Sequence, residues 1–252
     1  MNRPPLRSVL WALWLGVAIG LLAANPAAAQ PPATKPAPAK QAAAKPAAAK
    51  PQTAKAGKDA KDSEVEQAVK RFESDSRDIF QKRNEIVDVC QLKAGMQVAD
   101  VGAGSGLFSR LFAKKVAPGG KVYAVDISKK YVEYIEETCR KQKIANVTGV
   151  LCTADSTGLA PACVDLVFVC DTYHHFAHPQ KSLASIHQAL RPGGRLVLID
   201  FRKEKGVSPD WMIKHVRADR AMLIKEVTQA GFKLIDEPQL MKLQQVYRFG
   251  KK

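Results

Sequence analysis

The chain has 252 residues, room for one domain of ordinary size and an amino-terminal extension, and its net charge is +15. Residues 1–62 hold nine Lys/Arg against two Asp, and the remainder holds 30 basic against 22 acidic residues. The rest of the chain is thus only mildly basic, and it has neither recognition-motif spacing nor aromatic–basic interleaving, which argues against a specific nucleic-acid partner.

Residues 1–29 have the form of a signal peptide. Arg3 and Arg7 precede an apolar run from Val9 to Ala24, and small residues at Ala27 and Ala29 precede Gln30. The run is shorter than the ~20 residues of a membrane-spanning helix. Export to a periplasmic or other extracytoplasmic compartment is the expectation. The alternative is an uncleaved anchor holding the chain at the cytoplasmic face. Residues 30–62 are nearly all Ala, Pro and Lys, with a lysine at every fifth position from Lys35 to Lys55. No unit carries an apolar face, so a disordered linker is expected, with at most a weak attraction to anionic surfaces.

The third segment, 63–252, alternates. Helical periodicity covers about 63–91 as one helix or a pair. A strand at MQVADVG, a helix from Leu107 to Lys115, a strand at KVYAVDI and a helix from Lys129 to Gln142 follow. Then come strands at VTGVLC and VDLVFVC, a helix from Gln180 to Leu190 and a strand at GRLVLID. A helix over about 212–230 and two strands, FKLIDE and LQQVYRFG, complete the pattern. Short apolar strands alternating with helices predict an α/β fold with a doubly wound parallel sheet covered on both faces. Cys90, Cys139, Cys152, Cys163 and Cys170 are odd in number and form no C-x-x-C. Several lie in strand-like runs, as small buried hydrophobes do, which conflicts with a secreted disulfide framework.

The first strand ends in DVGAGSG, a glycine-rich turn that opens a helix. Gly102, Gly104 and Gly106 run G-x-G-x-G, and Leu107 stands where a dinucleotide fingerprint has its third glycine. Asp100 would set a negative charge against a pyrophosphate, whereas a cofactor with an ammonium and a sulfonium suits it. Asp126, ending the second strand, fits a carboxylate that takes two ribose hydroxyls.

VADVGAGSG, VYAVDIS, CTADSTGLA, DTYHHF and LRPGGRLVLIDF, in this order, resemble class I S-adenosylmethionine-dependent methyltransferases, particularly small enzymes similar to quinone methyltransferases. The resemblance implies a Rossmann-like seven-stranded sheet whose last strand is antiparallel. It implies that Asp100, Gly102, Ala103, Gly104 and Gly106 hold the methionine part of S-adenosylmethionine, and that Asp126 and Ile127 hold the nucleoside. Asp155 and Ser156 would lie beside the adenine, Asp171 would open the loop over the methyl, and Gln81 would reach in from a lid helix. The implied partner is a small or lipid-like acceptor. The rival reading is an exported binding module that keeps the fold without the chemistry. A dehydrogenase comes third.

DTYHHFAHP, residues 171–179, carries three histidines. His174 and His178 are spaced i, i+4, but Pro179 argues against a helix through His178, and zinc sites draw three or four ligands. Pocket lining ranks first, proton handling by His174 or His175 second, and metal last. No metal is expected. His187 and the stretch HVRADR, 215–220, are expected on solvated helix faces.

Arg3 and Arg7 favour an amino terminus left inside, Lys35 and Lys40 oppose them, and the Ala27–Ala29 site breaks the tie toward cleavage. An alkaline phosphatase fusion after Lys61 should therefore be active, with Gln30 as the first residue by mass spectrometry. An inactive fusion that retains Met1 would establish the membrane-anchored alternative.

Overall fold

The computed structural model describes residues 64–252, so the expected signal segment and linker lie outside the described residues. Among the described residues no helix is long and apolar enough to cross a membrane.

The helical start is three pieces: α1 over 64–72, α2 (Asp78–Gln81) and α3 (Arg83–Val89). The alternating region follows as β1 (Gln97–Val101), α4 (Leu107–Val116), β2 (Lys121–Asp126), α5 (Lys129–Lys141), β3 (Val147–Leu151) and β4 (Val164–Cys170). After a 3-10 turn at Tyr173–His175 come α6 (Pro179–Ala189), β5 (Leu190–Phe201), α7 (Asp210–His215), α8 (Arg220–Gln229), β6 (Phe232–Asp236) and β7 (Gln244–Lys251). Pro179 sits in the first turn of α6, where its missing N–H costs nothing.

The seven strands lie in the order β3-β2-β1-β4-β5-β7-β6. The first five are parallel, and β7 runs antiparallel between β5 and β6. A wholly parallel sheet, as strand–helix alternation alone suggests, is thus corrected to the mixed sheet the family resemblance implies. Two further boundaries differ from expectation. The helix over 212–230 is two helices, because the Asp219 side chain accepts the Met222 N–H at 2.8 Å and starts α8 afresh, while Val216 and Ala218 are buried between them. RPGG, 191–194, is absorbed into β5, which pairs with β4 at Leu190 and again from Arg195 after an irregularity.

Alternation along each strand divides the core in two. Val98, Val122, Leu166, Phe168 and Val197 pack with Ile86 and Val87 of α3 and with Phe108 and Phe112 of α4. Their neighbours Ala99, Val125, Val167 and Leu196 pack with Leu183 and Ile186 of α6 and with Leu223 and Val227 of α8. A one-residue slip of any central strand would exchange these sets. The five cysteines are free, and burial pushes the Cys90 thiol upward, as befits a core residue.

Phe168 is fully buried, with its ring 4.8 Å from Phe108 and 5.0 Å from Phe112. Phe168→Ala should cost about 3–5 kcal/mol in urea unfolding. Ile235→Ala, at a side chain 55% exposed, should stay within about 0.5 kcal/mol. Equal losses would show that the α3–α4 face is not where stability resides.

Candidate active site

Strand order reverses between β1 and β4, and the segments leaving these neighbours turn to opposite faces. The crevice this opens at the carboxyl ends of the strands is a common ligand position in such sheets. Here it is a cavity of about 520 Å³. Asp100, Gly102, Ala103 and Gly104 line it from the first turn, and Asp126 and Ile127 from the end of β2. Ser156 and Asp171 complete the expected residues found there.

The turn has little steric slack. Gly102 has φ +76°, and a Cβ there would lie 2.3 Å from the Thr172 side chain. The Gly104 N–H donates to Asp126 Oδ2 at 2.9 Å, and the Ser128 N–H donates to Oδ1 at 2.8 Å. One carboxylate thus pins both the glycine turn and the start of α5, and each oxygen keeps a lone pair for a ligand hydroxyl. Gly106 serves the packing instead. It stands at the α4 N-terminus with φ +71°, where a Cβ would come within 2.8 Å of Ile135. It does not line the cavity.

Asp100 is 3% exposed and accepts the Ser109 hydroxyl at 2.6 Å. Burial, aided by the Asp126 charge and opposed by the Ser109 bond, pushes its carboxyl up to about 6. Asp171 follows β4 with φ +46°, a left-handed backbone uncommon outside glycine. Its Oδ2 accepts from Arg77 at 2.5 Å, and its Oδ1 is buried without a partner. Burial raises this carboxyl to about 7 even against the pull of Arg77. Three carboxylates and one guanidinium line the cavity, and the unpartnered buried oxygen of Asp171 among them suits a cationic ligand that carries hydroxyls. They do not suit a pyrophosphate.

Two expected residues lie elsewhere. Gln81 donates to the Asp75 carbonyl at 2.5 Å and does not line the cavity. Asp155 is on the surface, held by His178 at 2.5 Å and Lys181 at 2.8 Å. In place of Gln81, the amino-terminal helices and the turn between them contribute Phe72 and Arg77. Nothing in local spacing marks Arg77, whose partner lies 94 residues away.

The three histidines separate. His174 is buried, with Nδ1 2.6 Å from Asp200 Oδ1, and it does not line the cavity. His175 does line it. His178 is the exposed residue before α6, paired with Asp155. His187 is not on an open face: its ring meets Phe232 edge-on at 5.2 Å. The 215–220 stretch is also more engaged than expected. Arg217 grips Glu226 at 2.7 and 2.8 Å over the Tyr173 ring, and Tyr173 donates its hydroxyl to the same carboxylate. The His215 ring sits 4.9 Å from that of His174.

A family profile described as a methyltransferase domain matches residues 92–247. The ubiquinone/menaquinone biosynthesis C-methyltransferase UbiE of Bordetella parapertussis is 28% identical over 141 residues, 52% of this chain and 54% of that protein. UbiE of Haemophilus ducreyi is 28% identical over 118 residues, 46% of each. The chain spans about half the length of the curated relatives it matches. A solved S-adenosylmethionine-dependent methyltransferase from Aquifex aeolicus superposes with a TM-score of 0.66 at 25% identity, over 73% of this chain and 97% of that one. With its strand order, its glycine turn tied to Asp126 and its carboxylate-lined crevice, the chain belongs to the methyltransferase domain family of class I S-adenosylmethionine-dependent enzymes.

Proposed function

We propose that the domain transfers the methyl group of S-adenosylmethionine to a small or lipid-like acceptor. The observation that carries the reading is the cluster of buried carboxylates around one glycine turn. Asp126 offers two lone pairs to a ribose diol, Asp100 offers a carboxylate to the methionine ammonium, and Asp171, with its unpartnered oxygen, lines the same cavity. Ile127 and Ser156 line the same cavity, which supports giving them the nucleoside side of the cofactor. Bound there, the cofactor supplies a methyl on a sulfonium, already a good leaving group.

What remains for the chain itself is chiefly alignment, which can supply a large part of the rate. Phe72, Ile79, Phe108, Tyr131 and Phe176 wall the cavity with apolar surface that excludes water and favours an acceptor with an apolar body. His175 is the imidazole on that wall. Partial desolvation of this otherwise exposed ring, and then the neighbouring His174 and His215, hold it below the usual histidine range, so it is neutral near pH 7. An acceptor that loses a proton meets a neutral ring nitrogen there. The C-methyltransferase activity of the Bordetella relative in quinone biosynthesis supports an acceptor with a planar head and a lipid-like tail.

Calorimetry with S-adenosylhomocysteine and with NAD tests the cofactor reading. S-adenosylhomocysteine should bind more tightly. Asp126→Ala should weaken it by about 1.5–3 kcal/mol per lost hydrogen bond, and Asp155→Ala should leave it nearly unchanged. Tighter binding of NAD would overturn the proposal. Binding with no methyl transfer to any quinol, phenol or lipid acceptor would instead favour the non-catalytic module.

The pH dependence has a definite sign. Before a ligand binds, the Asp100 carboxyl sits at about 6, and an adjacent ammonium lowers it. Binding thus releases a proton below that value, and with the Asp171 carboxyl at about 7 in the same cavity, affinity should rise as pH increases through about 6 and about 7 before levelling. Asp100→Asn should remove the part of the rise near 6 and leave the part that Asp171 contributes. An unchanged pH dependence in that variant would remove Asp100 from the ligand contacts.

A further inference from the structure

Three imidazoles from two separate segments meet beside the cavity. One ring nitrogen each from His174, His175 and His215 lies within 4.8 Å of the other two. The ring centroids are 4.0, 4.9 and 5.4 Å apart. Such a cluster gains nothing from its own charge, since each proton bound disfavours the next. As neutral rings, imidazoles are good ligands for transition ions. The pairing suggested by sequence spacing, His174 with His178, does not form, because His178 is held by Asp155 on the surface. His215 replaces it, from the last turn of α7.

His174 has the support expected of a ligand. Its Nδ1 is occupied by Asp200 Oδ1 at 2.6 Å, which leaves Nε2 as the free donor. Asp200 is itself 2% exposed and fixed, accepting the N–H of His174 at 2.8 Å and of Phe201 at 2.9 Å. A carboxylate behind the imidazole, setting its tautomer and raising its basicity, is the usual partner of a metal-bound histidine. His174 is buried, while His175 and His215 are exposed, so an ion has a way in. Zinc–nitrogen bonds of about 2.0–2.1 Å in a tetrahedron require donors about 3.4 Å apart. The ring nitrogens must therefore close by up to about 1.4 Å from the 4.8 Å within which they lie. The closure falls to the two exposed side chains, since His174 is held by Asp200.

We propose that His174, His175 and His215 bind one divalent transition ion, zinc in first place, and that its open coordination position receives an oxygen of the acceptor in the cavity His175 lines. Three protein ligands with a fourth position open is the arrangement of a catalytic rather than a structural zinc site. The acceptor class that follows is a molecule with a hydroxyl, enol or carboxylate near the carbon or heteroatom to be methylated. This identification of the acceptor rests on the methyl-transfer reading, and binding of the ion does not; with the ion bound, the His175 lone pair is a ligand and the ion takes the place of a proton-accepting ring.

The test uses the full chain purified without a polyhistidine tag, stripped with chelator and titrated with Co²⁺ as a spectroscopic probe and with Zn²⁺ in competition. One equivalent should bind, with the visible bands of Co²⁺ bound by nitrogen ligands in low symmetry. His215→Ala should weaken it by more than about tenfold, and Asp200→Asn by roughly ten- to a hundredfold. His178→Ala should have no effect. The proposal is overturned by uptake far below one equivalent, or by affinities equal in wild type and His215→Ala. S-adenosylhomocysteine calorimetry on the same samples separates the two readings. Lost metal binding with intact cofactor binding defeats only the ion, and the converse defeats only the methyltransferase assignment. Circular dichroism confirms that each variant is folded.

Discussion

β1 and β4 lie side by side at the point where the order of the sheet reverses, and everything in the site follows from the divergence of the segments that leave them. The glycine turn after β1 leads into α4 on one face, and the turn after β4 leads through a 3-10 segment into α6 on the other. A parallel sheet cannot close that gap with side chains of its own, so the crevice stays open at the carboxyl edge. Asp100 and Asp126 lie at the carboxyl ends of adjacent strands, and Asp171 follows β4. Carboxylates so placed are desolvated by the same packing that stabilises the sheet.

This burial gives the site its character. An isolated carboxylate in an apolar crevice is costly to ionise, and Asp100 and Asp171 show it in carboxyls raised well above the usual range. Each is only partly relieved, Asp100 by a hydroxyl and Asp171 by one guanidinium at one of its two oxygens. A cationic ligand supplies the missing relief. The core thus makes the site selective for charge before any specific contact forms. Asp126 differs: both of its oxygens are tied to backbone N–H groups, so it braces the turn and keeps lone pairs for a ligand.

The histidine cluster depends on the same geometry from the other side of β4. Asp200 lies near the end of β5, whose register with β4 aligns Cys170 with Ile199 and so carries Asp200 alongside the 171–175 loop. That alignment lets one carboxylate hold both the backbone and the ring of His174. His215 arrives from a short helix, separated from the next one that Asp219 caps.

The sequence by itself determined the strand–helix alternation, the glycine turn, Asp100 and Asp126, because these are local: strand period, turn chemistry and a carboxylate at a strand end are written within a few residues. The antiparallel last strand was legible only through family resemblance, since no period distinguishes parallel from antiparallel pairing. Gln81 and Asp155 are absent from the cavity lining for a related reason. Both lie in polar segments whose side chains found nearer partners, Gln81 in the Asp75 carbonyl and Asp155 in His178 and Lys181. Only the tertiary structure decided Arg77 against Asp171, His174 against Asp200, and His215 beside His175. These pairs are separated by tens of residues, and what brings them together is the packing of the sheet and the loops at its edge, which no local pattern encodes.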